Sequence, residues 1–346
     1  MQKKQTKRNI LIASFLILFL LILWVGRQYA LIFLPQFQLK EKTNLYIDRD
    51  DDIDSIYQKI TLKANPKSLK GFKIICHYSK YAQHIRTGKY ELLPDETPYQ
   101  LYHKLSRGHQ TPTQLVVNSP RNVEAVVGHI AKQLMIDSLE IAEQLFDEAI
   151  QAEMGYHEKS LMVFFIPNTY EVYWNIQADE LLVRLQKEHN AFWNDTRKKK
   201  AEQIGLTPYE VSILASIVDE ETVKNEEKAT VAGLYMNRLK RGMLLQADPT
   251  VKFALGDFAI QRITERDLKI ESPYNTYLYT GLPPGPIRIP TLKGIDSVLN
   301  YEKHNYLYMC AKEDFSGYHN FASNLAEHSR NARKYWNALN RRKIYR

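Results

Sequence analysis

The chain has 346 residues, long for a single small core and of a size that accommodates an anchor and two folded units. Hydrophobic residues make up 44% and charged residues 25%, ordinary globular usage that excludes wholesale disorder, collagen-like repeats and a coiled coil. The net charge of +8 favours an anionic partner, but the cations are dispersed and no helix-turn-helix, zinc-finger or aromatic nucleic-acid signature accompanies them, so nucleic acid is not expected.

Residues 10–25 (ILIASFLILFLLILWV) form an uncharged apolar run preceded by Lys3, Lys4, Lys7 and Arg8. At 1.5 Å per residue the run is slightly short for a hydrocarbon core of about 30 Å, but flanking Lys and Arg can snorkel, and Trp24 and Tyr29 suit an interface. One transmembrane helix within residues 1–35 is expected, with the first residues in the cytoplasm and the rest carried across, by the positive-inside rule. A cleaved signal peptide is the rival; no small-x-small cleavage site supports it.

Residues 40–110 mix β-like and helical patterns and read as a small α+β unit. Residues 45–47, 72–75 and 88–92 are its strand candidates, and residues 97–105 (TPYQLYHKL) carry a helix N-cap with Pro at the first helical position. A boundary is expected at Thr111-Pro112-Thr113, followed over residues 115–346 by a larger helix-rich α+β domain. Cys76 and Cys310, the two cysteines of the chain, fit neither a disulfide framework nor a paired metal site and read as packed thiols.

The sharpest local signal in that larger domain is Thr207-Pro208-Tyr209-Glu210: a capping Thr, Pro at the first helical position and Glu three residues after the cap. At 100° per residue, Val211, Leu214, Ala215 and Val218 form an apolar stripe that Ile213 and Ile217 widen, and Glu221 falls within it. A carboxyl held against apolar neighbours has its pKa raised and can act as a general acid. The competing reading ends the helix near residue 219 and leaves Glu221 solvated in a turn. Asp219, on the side of Ser212 and Ser216, and Glu220, at the opposite margin of the stripe, read as surface or supporting groups.

Residues 229–239 again have helical spacing and deliver Asn237 and Arg238. A turn-like stretch with Gln246, Asp248, Pro249 and Thr250 follows, then loops over residues 273–277 and 280–286 that are rich in Pro and Tyr. Such loops either line a sugar cleft or act as rigid connectors. The ten histidines lack HExxH or HxH spacing, and there is no GxSxG and no Gly-rich phosphate cradle, so metal and serine hydrolysis are disfavoured and no metal or cofactor is expected.

Four segments, ASIVDEET (215–222), NRLKRGMLLQADPTV (237–251), SPYNTYLYTGLPPGPI (272–287) and FASNLAEH (321–328), together closely resemble the YceG-like, or MltG-type, endolytic murein transglycosylases in order and spacing. Phe165-Ile166-Pro167-Asn168-Thr169-Tyr170 is similar to that family's F-P-D-T-Y element. The chain departs from the family pattern at Asp219, where Glu is common, and at Asn168, where Asp is common. The resemblance implies a LysM-like subdomain over residues 40–110 and a catalytic domain over residues 115–346. The implied reaction cleaves the β-1,4 bond between N-acetylmuramic acid and N-acetylglucosamine within a glycan strand of peptidoglycan, leaving a 1,6-anhydro muramyl end. The family's catalytic Glu falls on Glu221, and contact with the peptidoglycan synthases of wall elongation is implied as well.

One carboxylate suffices for such a reaction because the muramyl C6 hydroxyl is the nucleophile, whereas ordinary glycosidases need two carboxyl groups. Ser216, Asn237, Gln246, Asp248, Tyr274, Asn275 and Thr276 are the candidate substrate-binding residues around Glu221. Two competing readings stay open: a noncatalytic membrane-tethered scaffold that binds peptidoglycan through the small unit, and an inverting hydrolase that uses Asp248 as second carboxylate.

Overall fold

The computed structural model describes residues 2–157, 160–260 and 263–342. The chain opens with one helix, α1 (Gln2–Phe33). An 18-residue stretch within Gln5–Phe33 has a mean hydropathy of 2.6 and is not buried against the rest of the protein, so by length and composition the helix can cross a membrane.

Two compact units follow from the packing: residues 1–114 with 171–176, and residues 115–170 with 177–346. In the first, β1 (Thr43–Ile47) and β2 (Gly88–Leu92) pair antiparallel in the register Thr43↔Leu92 to Ile47↔Gly88. Between them run α2 (Ile53–Ala64) and α3 (Lys70–Tyr78), and α4 (Pro98–Arg107) follows. The apolar faces of these elements meet in one core that includes Leu45, Ile56, Ile60, Phe72, Tyr90 and Leu101. Thr97 caps α4 in a complete capping box with Gln100, which is why the local sequence was sufficient to place it.

Residues 72–75, expected as a strand, are helical. Phe72 and Cys76, one helical turn apart, are buried while Lys70 and Lys73 are exposed, so the period is 3.6; a four-residue apolar run is too short to separate the two periodicities.

The second unit begins within β3 (Thr113–Val117). It continues through α5 (Val123–Ala131), α6 (Ser138–Leu145), α7 (Glu148–Met154) and α8 (Leu161–Phe164) to β4 (Asn168–Val172), the partner of β3. Asn168 and Thr169 are exposed at the start of β4, while Tyr170 is buried and its hydroxyl donates to the Ile166 carbonyl at 2.6 Å. Next come α9 (Ala178–Phe192), α10 (Asp195–Gln203), α11 (Pro208–Glu221), α12 (Lys228–Lys240), α13 (Asp248–Leu255) and α14 (Leu292–Leu299). The strands β5 (Tyr308–Ala311) and β6 (His319–Ala322) pair antiparallel, and α15 (Leu325–Arg341) packs on both.

Helix α11 is the centre of this unit, with α12 and α14 packed on it. Every residue from Val211 to Asp219 is buried, including Ser212, Ser216 and Asp219, so the helix is enclosed on all sides and not striped. A segment of residues 284–291 runs beside it in the same direction. The Tyr209 hydroxyl donates to the Pro284 carbonyl at 2.7 Å, the Ile287 amide donates to Ser216 Oγ at 3.0 Å, and the Thr291 amide donates to Asp219 Oδ2 at 2.7 Å. The Pro-rich loop therefore acts as a strap along the central helix, the connector reading of residues 280–286. Asp248, expected in a turn, opens α13 with Pro249 in the first turn, where a missing amide costs nothing.

Candidate active site

Three consecutive carboxylates end α11, and they have three different surroundings. Asp219, 5% exposed, accepts from Lys228 Nζ at 2.6 Å, from the Thr291 amide at 2.7 Å and from Thr291 Oγ1 at 2.9 Å. Gly294 on α14 passes so near that a Cβ there would lie 2.5 Å from Asp219 Oδ2. Glu220 takes the Arg121 guanidinium bidentately, at 3.0 and 2.8 Å, and Arg288 Nη1 at 3.0 Å. Of the two readings of Asp219, surface group or supporting group, the structure has the second: it is a buried tie between α11, α12 and α14.

Glu221 is the last residue of the helix, with Thr222 as its C-cap, so the helix does not end near residue 219, and the Glu221 side chain is half-buried. Among the described residues no cation stands within ion-pair distance of its carboxylate, in contrast to its two neighbours. Among the described residues its one hydrogen-bond partner is the buried Tyr235 hydroxyl of α12, which donates to Oε1 at 2.7 Å. Burial pushes the Glu221 carboxyl up from 4.5 to about 7; the hydrogen bond from Tyr235 opposes that rise, the charge of Asp248 adds to it and Arg238 subtracts. Burial, and the Glu221 charge after it, hold the Tyr235 phenol well above its ordinary value, so Tyr235 stays a donor.

Glu221 faces a cavity of about 290 Å³ whose lining includes Tyr235, Arg238, Gln246, Asp248, Tyr277 and His319. The surface is mainly polar and offers hydrogen-bond donors and acceptors to a ligand. Arg238 is buried and donates to three main-chain carbonyls, Leu307 at 2.7 Å, Leu245 at 2.6 Å and Leu244 at 3.4 Å. Arg238 lines the cavity, and among the described residues no carboxylate pairs with it. The Tyr277 hydroxyl donates to Asp248 Oδ1 at 2.5 Å; burial, then that carboxylate, push its phenol up. His319, on β6, is fixed by Glu227, which accepts its amide at 2.8 Å and lies 3.1 Å from its Nδ1. Gln246 has a left-handed backbone, φ 48°, pinned by its amide's bond to the Thr276 carbonyl at 3.1 Å. Among the described residues, no cluster of three or more His, Cys, Asp and Glu side chains could hold a metal ion.

Of the expected substrate-binding residues, Gln246 and Asp248 line this cavity beside Glu221. The other five are not among its lining residues and are held in the walls. Ser216 Oγ donates to the Ile213 carbonyl at 2.7 Å, and Asn237 Nδ2 donates to the carbonyls of His304 and Tyr306 at 2.8 and 3.0 Å. Asn275 Nδ2 bonds the carbonyls of Leu268 and Ile270, both at 2.9 Å, and Thr276 Oγ1 accepts the Ala247 amide at 3.0 Å. Tyr274 packs on Phe253, ring centroids 4.7 Å apart. Sequence reasoning missed Tyr235, Tyr277 and His319. Tyr235 lies 14 positions after Glu221 on a helix whose facing side only the tertiary packing defines, so no local pattern marks it.

The architecture is that of a helix-rich α+β protein behind an apolar N-terminal helix, with a raised carboxyl at the end of the central helix. The chain belongs to the YceG-like family, whose model matches residues 45–334. It is 26% identical over 317 residues to an endolytic murein transglycosylase of Bacillus subtilis strain 168, covering 87% of each chain. A second relative of that name, from Streptococcus pneumoniae, is 31% identical over 183 residues, 51% of this chain and 32% of the relative. The crystal structure of a putative YceG-like protein from Listeria monocytogenes shares the fold, with a TM-score of 0.58 at 24% identity over 84% of this chain and 99% of that one.

Proposed function

We propose that this protein is an endolytic peptidoglycan lytic transglycosylase with Glu221 as its single acid/base. The observation that carries the reading is the contrast within one helix end: Asp219 and Glu220 are bound by cations, while Glu221, raised to about 7, faces the polar cavity with a proton to give. The names of the relatives from B. subtilis and S. pneumoniae supply the substrate class.

Because Tyr235 donates to Oε1, the transferable proton belongs on Oε2. From there it passes to the oxygen bridging N-acetylmuramic acid and N-acetylglucosamine as the C1–O bond breaks. The carboxylate then takes the proton of the muramyl C6 hydroxyl while O6 bonds to C1. The products are a glycan with a free 4-hydroxyl and a strand ending in 1,6-anhydro muramic acid; no water is consumed, and Glu221 ends protonated as it began. Arg238, Gln246, Asp248 and Tyr277 are positioned to bind sugar hydroxyl and acetamido groups.

Asp248 in the same cavity is the one observation that favours an inverting hydrolase. Mass spectrometry of digested strands separates the reactions, since a lytic transglycosylase leaves anhydro ends and a hydrolase leaves reducing ends. Anhydro ends from the wild type and their loss in Glu221→Gln support the proposal, and undiminished anhydro product from the variant overturns it.

The basic residues before the apolar segment of α1 support a cytoplasmic N-terminus and both folded units on the outer side of the membrane. The strand-helix-helix-strand order of residues 43–92 supports a LysM-like subdomain that holds glycan strands. Contact with peptidoglycan synthases extends the same reading.

A further inference from the structure

The first unit has an uneven charge distribution. Asp50, Asp51, Asp52 and Asp54 gather at the N-terminal end of α2. Lys63, Lys67, Lys70 and Lys73, all exposed, gather at its other end and on the turn into α3. Asp54 and Lys63, the nearest members of the two clusters, lie in the first and last turns of α2, about 14 Å apart along the helix.

The cationic end is the one joined to α1. The Gln38 amide donates to the Ala64 carbonyl at 3.0 Å, and the Lys67 amide donates to the Gln36 carbonyl at 2.8 Å, so the chain leaving α1 runs along the α2–α3 turn. Helix α3 meets α1 itself: a Cβ on Gly71 would lie 2.0 Å from the Leu31 carbonyl oxygen, a close approach that only glycine permits. Phe33 and Tyr99 add a ring contact at 5.1 Å. The first turn of α3 is therefore fixed at the level of Leu31. That level is six residues, about 9 Å, beyond Val25, where the apolar run ends. A bilayer carries a headgroup layer of about 5–8 Å on each side of its hydrocarbon, within reach of a lysine stem pointing back toward it.

We propose that the turn between α2 and α3, with Lys63, Lys67, Lys70 and Lys73, is a docking surface for anionic phospholipid headgroups that holds the first unit against the bilayer. The inference rests on α1 being a retained membrane anchor. Among the described residues none of these four lysines has an ion-pair partner; Lys73 lies over the Tyr57 ring at 4.7 Å, which leaves its charge available. The aspartates sit at the end where an anionic surface would repel them least. Each lysine near such a surface is favoured about fivefold, and the attraction is screened by salt.

The test uses the full chain in lipid nanodiscs, of phosphatidylcholine alone and with about one third phosphatidylglycerol. Acylation of each lysine by a water-soluble reagent is followed by mass spectrometry. In the anionic discs the four lysines are expected to react about fivefold more slowly than in the neutral ones, with the difference erased at high salt. Equal rates for the four lysines in the two discs overturn the proposal, as does slowing only on addition of an anionic wall polymer. Failure of the anchor reading has a different signature: the protein then does not co-elute with discs of either kind.

Discussion

Helix α11 is secured differently at its two ends. At Thr207 the exposed amides are satisfied by the neighbours three residues away: Thr207 Oγ1 accepts the Glu210 amide at 3.2 Å, and Glu210 Oε2 accepts the Thr207 amide at 2.8 Å. At Asp219, Glu220 and Glu221 the partners come from Arg121, Lys228, Tyr235, Arg288 and Thr291, as far as 99 positions away. A local end starts a helix in the right place, whereas a long-range end fixes which of three adjacent acids keeps its proton. The chemistry belongs to the second kind of end because a pKa is raised by enclosure, and enclosure is tertiary.

The largest expected effect tests that division directly. Glu221→Gln keeps the side-chain size and removes the transferable proton, so glycan cleavage should fall by about 10² to 10⁴, measured as anhydro-ended product per enzyme. The same variant has a stability signature. A carboxyl at 4.5 in the unfolded chain and about 7 in the folded one binds its proton more tightly when folded. The folded wild type therefore loses stability as pH climbs through that window, by at most about 3 kcal/mol. Gln carries no such penalty, so thermal unfolding at pH 8 should show the variant more stable than wild type, with the gain absent at pH 4. Equal melting temperatures at both pH values would mean that Glu221 is solvated.

How much of this was legible in the sequence follows the same line. The capping boxes at Thr97 and Thr207, the apolar segment of α1 and the placement of Glu221 on the central helix all rest on neighbours within a few positions, and they were readable. The apolar stripe is narrower than the face the helix buries: Ser212, Ser216 and Asp219 look like a polar face and are buried, because α12, α14 and the 284–291 strap cover that side. Asn237, Asn275 and Thr276 were expected at the ligand because they are polar and adjacent to turns. Their donors and acceptors bond main-chain groups instead, a use of polarity that spacing does not distinguish from binding. Tyr235 and Tyr277 reach the two carboxylates from separate segments, which no local pattern encodes.

Next in size is the pair beside the active acid. Lys228→Met leaves Asp219 buried, with the Thr291 bonds but no counter-charge, at an expected cost of about 3–5 kcal/mol in chemical denaturation. A loss well under 1 kcal/mol would show that α11 is held by its core alone. Tyr235→Phe acts on the chemistry more than on the fold. It removes the hydrogen bond that lowers the Glu221 pKa, so the pH at which activity falls off on the alkaline side should move upward from about 7. A purely structural tyrosine would lower activity at every pH alike.

The smallest effect belongs to the local end. Thr207→Ala removes the side-chain acceptor of the Glu210 amide at an exposed cap, an expected cost of about 1 kcal/mol. Its distance from the chemistry fixes the rest of the expectation: α11 has 14 residues, so the cap lies about 20 Å from Glu221, and the strap bonds at Pro284, Ile287 and Thr291 keep the far end registered when the cap frays. Activity per folded molecule and its pH profile should therefore match the wild type. If Thr207→Ala instead shifts the alkaline limb as Tyr235→Phe is expected to, the helix transmits strain along its length, and the environment of Glu221 depends on both ends together.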